Sequence, residues 1–277
     1  RDEPTVVLDG RPKHEYFKMS IPSARSCPNA ELAYRIPALA LNPETTLVIN
    51  CAGRTRSIIG AETLRQCGFS NPILALRNGT QGWALCGFNL DHGIHSDPLP
   101  LVDSKARVQA ARTANNLITR LALPQISSEL LEKWEQDPER TTYIFDVRTE
   151  EEFAACHWPR ARHAPGGQLV QATDQYLAVR NARIVLCDDT GLRAATTAMW
   201  LRGMGHDVTI LEEDVSQALT SKVNYTVANT VVGAPLISPE GAFGRVANGA
   251  ILVDASRSQD YRSGHARESI WITRSRV

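Results

Sequence analysis

The sequence predicts an α/β protein made of tandem domains, each a parallel sheet with helices on both faces. Three observations carry that expectation. Short apolar runs recur between stretches compatible with helix: TVVLD, LVIN and ILAL in the first half, TYIFD, IVLC and VTIL in the second. Runs this brief and this apolar suit strands covered on both sides, and alternation with helices implies parallel order. The chain also repeats itself. An offset of 137 positions carries Asp9 onto Asp146, Arg11 onto Arg148, Glu15 onto Glu152, Arg56 onto Arg193 and Ile73-Leu74 onto Ile210-Leu211, with no gap needed from Thr5 onward. Finally, Cys51 stands directly after a strand run and before a helical stretch. In such sheets ligands bind at the carboxyl ends of strands, which is where this cysteine falls.

Composition sets the outer limits. A chain of 277 residues with 43% hydrophobic and 22% charged residues is an ordinary globular protein, long for one domain. Thirty Lys and Arg residues cancel thirty Asp and Glu, so no net field recruits nucleic acid or an anionic membrane. No apolar run approaches the roughly 18 residues of a spanning helix, and the opening RDEPTVVLDG has no signal-peptide pattern; the expectation is a soluble, cytoplasmic chain. Its six cysteines form no C-x-x-C pair, which argues against a zinc site or a disulfide framework and for a reducing compartment. Cys27, Cys67, Cys86, Cys156 and Cys187 read as small buried hydrophobes. The seven histidines show no metal spacing, so neither a metal nor an organic cofactor is expected.

The repeat maps the chain. Residues 1–95 form the first domain, lacking an opening strand and helix; 96–120 form a linker with a Pro-containing start and a polar, helix-compatible remainder. Residues 121–232 form the second domain, opened by LPQISSELLEKWEQDPERTTYIFD: a short strand, a Ser-capped helix and a strand ending in Asp146. Residues 233–277 begin a third, where Ile251 to Asp254 repeat Tyr143 to Asp146, and Asp260-Tyr261 and His265 match Glu152-Phe153 and His157. The expectation is an internal piece of a longer array, or a sequence whose flanking residues are missing, with its repeats packed against one another.

In Leu47 to Gly68, the run Leu47–Asn50 is a buried strand, Ile58, Ile59, Ala61 and Leu64 form an apolar helical face, and Gly68 is the stop. Between them, backbone N–H groups of Ala52, Gly53, Arg54, Thr55, Arg56 and Ser57 would converge above the Cys51 sulfur, reinforced by the helix dipole. Amide dipoles and neighbouring arginines favour the thiolate, and Arg54 and Arg56 suit an anionic substrate or leaving group. Thr55 and Ser57 offer hydroxyl hydrogen bonds or a helix cap.

This loop resembles the active-site loop of the rhodanese (thiosulfate sulfurtransferase) superfamily. Asn78-Gly79-Thr80-Gln81-Gly82-Trp83 is similar to that family's Gly-Gly-x-x-Gly-Trp segment, and Asp9-Gly10-Arg11 with Glu15-Tyr16 resembles its Asp-Val-Arg and Glu-Phe signature. The resemblance implies tandem rhodanese-like domains and a sulfurtransferase. Sulfane sulfur would pass from thiosulfate to cyanide or a thiol through a persulfide on Cys51, with no cofactor. Two other readings stay open. One is a cysteine phosphatase or arsenate reductase, although related phosphate loops place five residues between Cys and Arg and here only Ala52 to Thr55 intervene. The other is a non-catalytic sulfur-relay or binding module. The repeat adds that Cys51 aligns with Asp188, whose carboxylate is expected to occupy its own loop and leave domain two inert.

Overall fold

The computed structural model describes residues 4–215 and 235–272. The chain divides into two compact units, Arg1–Ser221 and Lys222–Val277. In the first, β1 (Thr5–Asp9), α1 (Lys13–Lys18), β2 (Arg25–Ser26), α2 (Asn29–Arg35), β3 (Thr46–Asn50), α3 (Thr55–Gln66), β4 (Ile73–Ala75) and α4 (Gly79–Leu85) make one wound sheet. Helix α5 (Ser104–Leu121) leads to β5 (Gln125–Ile126), α6 (Ser128–Gln136), β6 (Thr142–Asp146), α7 (Glu150–Ala155), β7 (Arg162–His163), α8 (Gly166–Gln171), α9 (Thr173–Tyr176), β8 (Arg183–Cys187), α10 (Leu192–Gly203) and β9 (Asp207–Leu211).

The named strands pair in parallel, in the order β2-β1-β3-β4 for the first sheet and β5-β9-β8-β6-β7 for the second. Side-chain alternation along each strand divides the core into two layers. Leu8, Leu47 and Ile49 face Leu32 of α2 and Ala61 and Leu64 of α3, while Val7 packs on the other side with Tyr16, Ile21 and Trp83. In the second sheet Ile184 and Leu186 meet Ala194, Ala198 and Leu201 of α10; Val185 and Cys187 meet Leu131 of α6.

Three sequence expectations need correction. Helix α3 does not bury Ile58, which is 45% exposed; its inner face is Ser57, Gly60, Ala61 and Leu64. Gly60 causes this rotation, because a β-carbon there would lie 2.9 Å from Ile49 Cγ2 and 2.8 Å from Leu32 Cδ1, so the helix rests directly on the sheet. The gapless register fails at the fourth strand. Leu47 pairs with Ile73, but its counterpart Ile184 pairs with Val208, so Ile73 corresponds to Val208 rather than Ile210. Two fewer residues connect Gly205 to its strand, and a match of Ile-Leu with Ile-Leu was apolar coincidence. The third correction concerns α5, which is not merely polar: Ala110, Ala114, Leu117 and Ile118 form a buried stripe shared between the cores of both sheets. Asp103 caps it by accepting from Ala106 N at 2.7 Å.

The second unit contains α11 (Pro239–Ala247), β10 (Val253–Asp254), α12 (Ser258–Ser263) and β11 (Ile270–Trp271). Its strands pair Val253 with Ile270 and Asp254 with Trp271, the pattern by which Phe145 meets Arg162 and Asp146 meets His163. Tyr261 Oη donates to Ser269 O at 2.8 Å, as Tyr16 Oη does to Ala24 O at 2.7 Å. The repeat extends this strand back to Ile251, whereas the registered pairs are Val253 and Asp254, with Leu252 O accepting from Ile270 N at 2.8 Å.

Candidate active site

Strand β3 delivers Cys51 to the carboxyl edge of the first sheet. The strand end is fixed by its neighbour: Asn50 Nδ2 donates to Asp9 Oδ2 at 3.0 Å, Gly10 N donates to Asn50 O at 2.9 Å, and Arg11 holds the same Asp9 carboxylate at 2.7 Å. Helix α4 braces the loop from above. Thr80 gives both its N–H, at 2.8 Å, and its hydroxyl, at 3.0 Å, to Cys51 O, and Gln81 N reaches Ala52 O at 3.1 Å. Gly79 makes that approach possible. Its φ is +54°, and a β-carbon would stand 2.0 Å from Cys51 O and 2.8 Å from Gly53 O.

The sulfur lies lower than the sequence suggested. A cysteine at the mouth of the unit was expected, yet Cys51 is 2% exposed, and Ser57 Oγ donates to its Sγ at 3.0 Å. Thr55 is the first residue of α3 and Arg54 its N-cap, with no side-chain cap bond, so the loop proper ends two residues sooner than Arg56. Arg54 and Thr55 are exposed at the rim; Ala52 and Gly53 are half-buried. Arg56 turns elsewhere: its guanidinium grips both oxygens of Glu15 at 2.7 Å, and Asn29 Nδ2 donates to its carbonyl at 2.9 Å. Burial pushes the Glu15 carboxyl up, but the Arg56 hydrogen bonds and charge outweigh it and hold the group below its usual range.

The second domain holds a side chain in the corresponding loop. Asp188, in the place of Cys51, accepts from Thr190 N at 2.8 Å, from Gly191 N, and from Ala194 N at 3.0 Å. Those amides correspond to Gly53, Arg54 and Ser57. A carboxylate therefore sits on three converging N–H groups, as an anion would on a helix N-terminus. Around it a buried network closes the loop. Arg193, 0% exposed, reaches Asp189 at 2.7 Å, Glu152 at 2.6 Å and Glu31 of α2 at 3.0 Å; Arg35 bridges Glu31 at 2.8 Å and Glu152 at 2.9 Å; Arg107 of α5 meets Asp189 at 2.6 Å. Burial raises the Asp188 carboxyl against the pull of Arg193 and the amides, whereas Arg193 and Arg107 overcome burial to hold Asp189 low.

The remaining cysteines differ among themselves. Cys27 and Cys187 are buried and their thiols are pushed up by burial, as Cys67 is to about 12, but Cys86 is exposed, contrary to its reading as a core residue. Trp83 is half-buried against the Tyr16 cluster and donates to Asn89 O at 2.8 Å. Among the described residues no group of three or more His, Cys, Asp or Glu side chains could hold a metal ion, and no helix is long and apolar enough to cross a membrane.

A wound parallel sheet with a thiol on its carboxyl edge, in a loop that runs into a helix start, defines a class of α/β domains. The chain matches the model of the rhodanese-like domain over residues 1–86 and 127–219 and belongs to that family. No curated protein is matched. Among solved structures, the chain is similar to a thiosulfate sulfurtransferase from Pseudomonas aeruginosa, at 39% identity and a TM-score of 0.74, over 98% of this chain and 52% of that one. It thus spans about half the length of that relative. Shorter likenesses are a rhodanese-related protein from Thermoplasma volcanium (29% identity, TM-score 0.27, 31% of this chain and 83% of that one) and a protein from Rhodopseudomonas palustris described as a possible tyrosine phosphatase (25%, 0.29, 31% and 70%).

Proposed function

We propose that the chain is a sulfurtransferase that moves sulfane sulfur from thiosulfate to cyanide or a thiol through a persulfide on Cys51. The Cys51 thiolate attacks the outer sulfur of thiosulfate; the new S–S bond forms as the old one breaks, and sulfite leaves with the electron pair. The acceptor then attacks the outer persulfide sulfur and regenerates the thiolate. The backbone amides of Ala52 to Ser57 and the Ser57 hydroxyl stabilise the anionic sulfur in each state, and Arg54 meets the sulfite charge as it develops.

One observation carries the reading: the Asp188 carboxylate on three loop amides, a built-in anion where the first domain has Cys51. The short loop also favours sulfur over phosphate, since only the four residues Ala52 to Thr55 separate Cys51 from Arg56. Cys51 itself is 2% exposed, so a donor has to reach it through the loop. Access is by the rim at Arg54 and Thr55. Domain two, its loop filled and sealed, is an inert structural partner. Six cysteines without a disulfide suit a reducing compartment such as the cytoplasm.

The test is thiosulfate:cyanide transfer by the wild type beside Cys51→Ser. Transfer that depends on Cys51 supports the proposal. Turnover of an aryl phosphate without thiosulfate transfer would move the reading to a phosphatase, and sulfur loading without turnover to a relay module.

A further inference from the structure

We propose that Arg77 is the second arm of the donor site and makes it selective for doubly charged sulfur donors. The inference rests on the proposed sulfur transfer at Cys51. Arg54 leaves the cysteine loop, and Arg77 leaves the connection between β4 and α4. These two segments are stapled together by the packing of Gly79 on Cys51 O and Gly53 O and by the bond from Gln81 N to Ala52 O at 3.1 Å. The two arginines line one depression of about 470 Å³ with Asn78, over an apolar floor of Ile58, Ala75 and Leu76; it lies beside the cysteine loop, reaching it at Arg54, and Cys51 itself is not in its wall.

Their charges are unspent. Both side chains are exposed, and among the described residues neither guanidinium meets a carboxylate, whereas Arg11, Arg35, Arg56, Arg148 and Arg193 each do. Two cations facing one hollow repel each other until an anion enters. The internal comparison points the same way. Arg54 corresponds to Gly191, and by the strand pairing Arg77 corresponds to Glu212, so the domain that lost its thiol has lost both cations as well. Arg56, which holds a structural ion pair, is retained as Arg193.

Thiosulfate carries two negative charges and releases sulfite, which also carries two. Arg54 answers one of them and Arg77 the other. An alkyl thiosulfonate carries the same transferable sulfur but a single charge, and releases a sulfinate through the same bond exchange. The second cation is superfluous for it.

The experiment compares thiosulfate with methanethiosulfonate as donor, cyanide as acceptor, in the wild type, Arg77→Ala and Arg77→Lys. The alanine variant is expected to raise KM for thiosulfate roughly tenfold with kcat held, the size of one solvent-screened charge-assisted contact, and to move KM for methanethiosulfonate by less than about twofold. Lysine restores most of the loss, and the salt dependence of KM for thiosulfate flattens in the alanine variant. Equal effects on the two donors, or none on thiosulfate, overturn the role of Arg77 alone. A wild type inactive with both donors overturns the reading of Cys51 and this inference with it.

Discussion

Arg54 and Arg56 stand two positions apart on the same helix start and do different work. Arg56 is mostly buried and bound at two points to Glu15, so Arg56→Ala strands a half-buried carboxylate; we expect a loss of about 2 kcal/mol in chemical denaturation, within the range for broken partly buried pairs. Arg54→Ala leaves stability within about 0.5 kcal/mol, as for an exposed substitution, and impairs use of thiosulfate. Matching losses of stability in the two variants would contradict this division. Asp188→Ala removes the acceptor from three amides on the inner loop of domain two, and an expected cost of about 2 kcal/mol or more follows from leaving buried donors unpaired. An unchanged denaturation midpoint would mean that the carboxylate is not what holds that loop. The fate of these residues was legible because the repeat aligned Cys51 with Asp188 and Arg56 with Arg193. Glu31, the partner of Arg193, and Arg107, the partner of Asp189, were not legible, since they come from α2 and α5, which no sequence offset links to the second loop.

At the scale of elements, the site is a strand end, a helix start and a second helix pressed onto both. Gly79 is the contact point of that second helix, and Gly79→Ala must displace either α4 or the Cys51 carbonyl. We expect kcat/KM for thiosulfate to fall by about tenfold or more while the far-ultraviolet circular dichroism is retained, because small misplacements of a reacting group are costly. A fully active Gly79→Ala protein would show that α4 does not position the loop. The strands and the cysteine loop were readable from apolar runs and spacing. The seam helix was not: α5 looks polar along its length, and its buried stripe uses two alanines, Ala110 and Ala114, which carry little hydropathy signal. Likewise Arg77 looked like an ordinary polar neighbour of Asn78-Gly79 until its shared depression with Arg54 was visible.

Across the first unit as a whole, the two domains are joined by charge as well as by packing. Arg193 and Arg35 tie Glu31 of the first domain to Glu152 of the second, and Trp200 Nε1 donates to Thr63 Oγ1 at 2.8 Å. Glu15, Glu152 and Asp189 have folded values below their ordinary ones, in each case because arginine contacts overcome burial. Such groups contribute stability that is complete above the ordinary carboxylate range near pH about 4 and is lost as pH falls through their lower folded values. Asp188 is raised and acts in the opposite sense, gaining as pH falls. Glu129, Asp137 and Glu151 are lowered as well and Glu135 is raised, so among the described residues of this unit the depressed carboxyls outnumber the raised ones, and the melting temperature is expected to drop as pH is lowered from neutral through this range. A melting temperature constant into strong acid would contradict the charge lock.

The measurement that bears most directly on the central claim is mass mapping of the protein after brief treatment with thiosulfate. The account predicts one added sulfur atom on the peptide containing Cys51, removed on addition of cyanide, with the Cys86 peptide unchanged despite its exposure. An unmodified Cys51 peptide, or sulfur lodged on another cysteine, would contradict it.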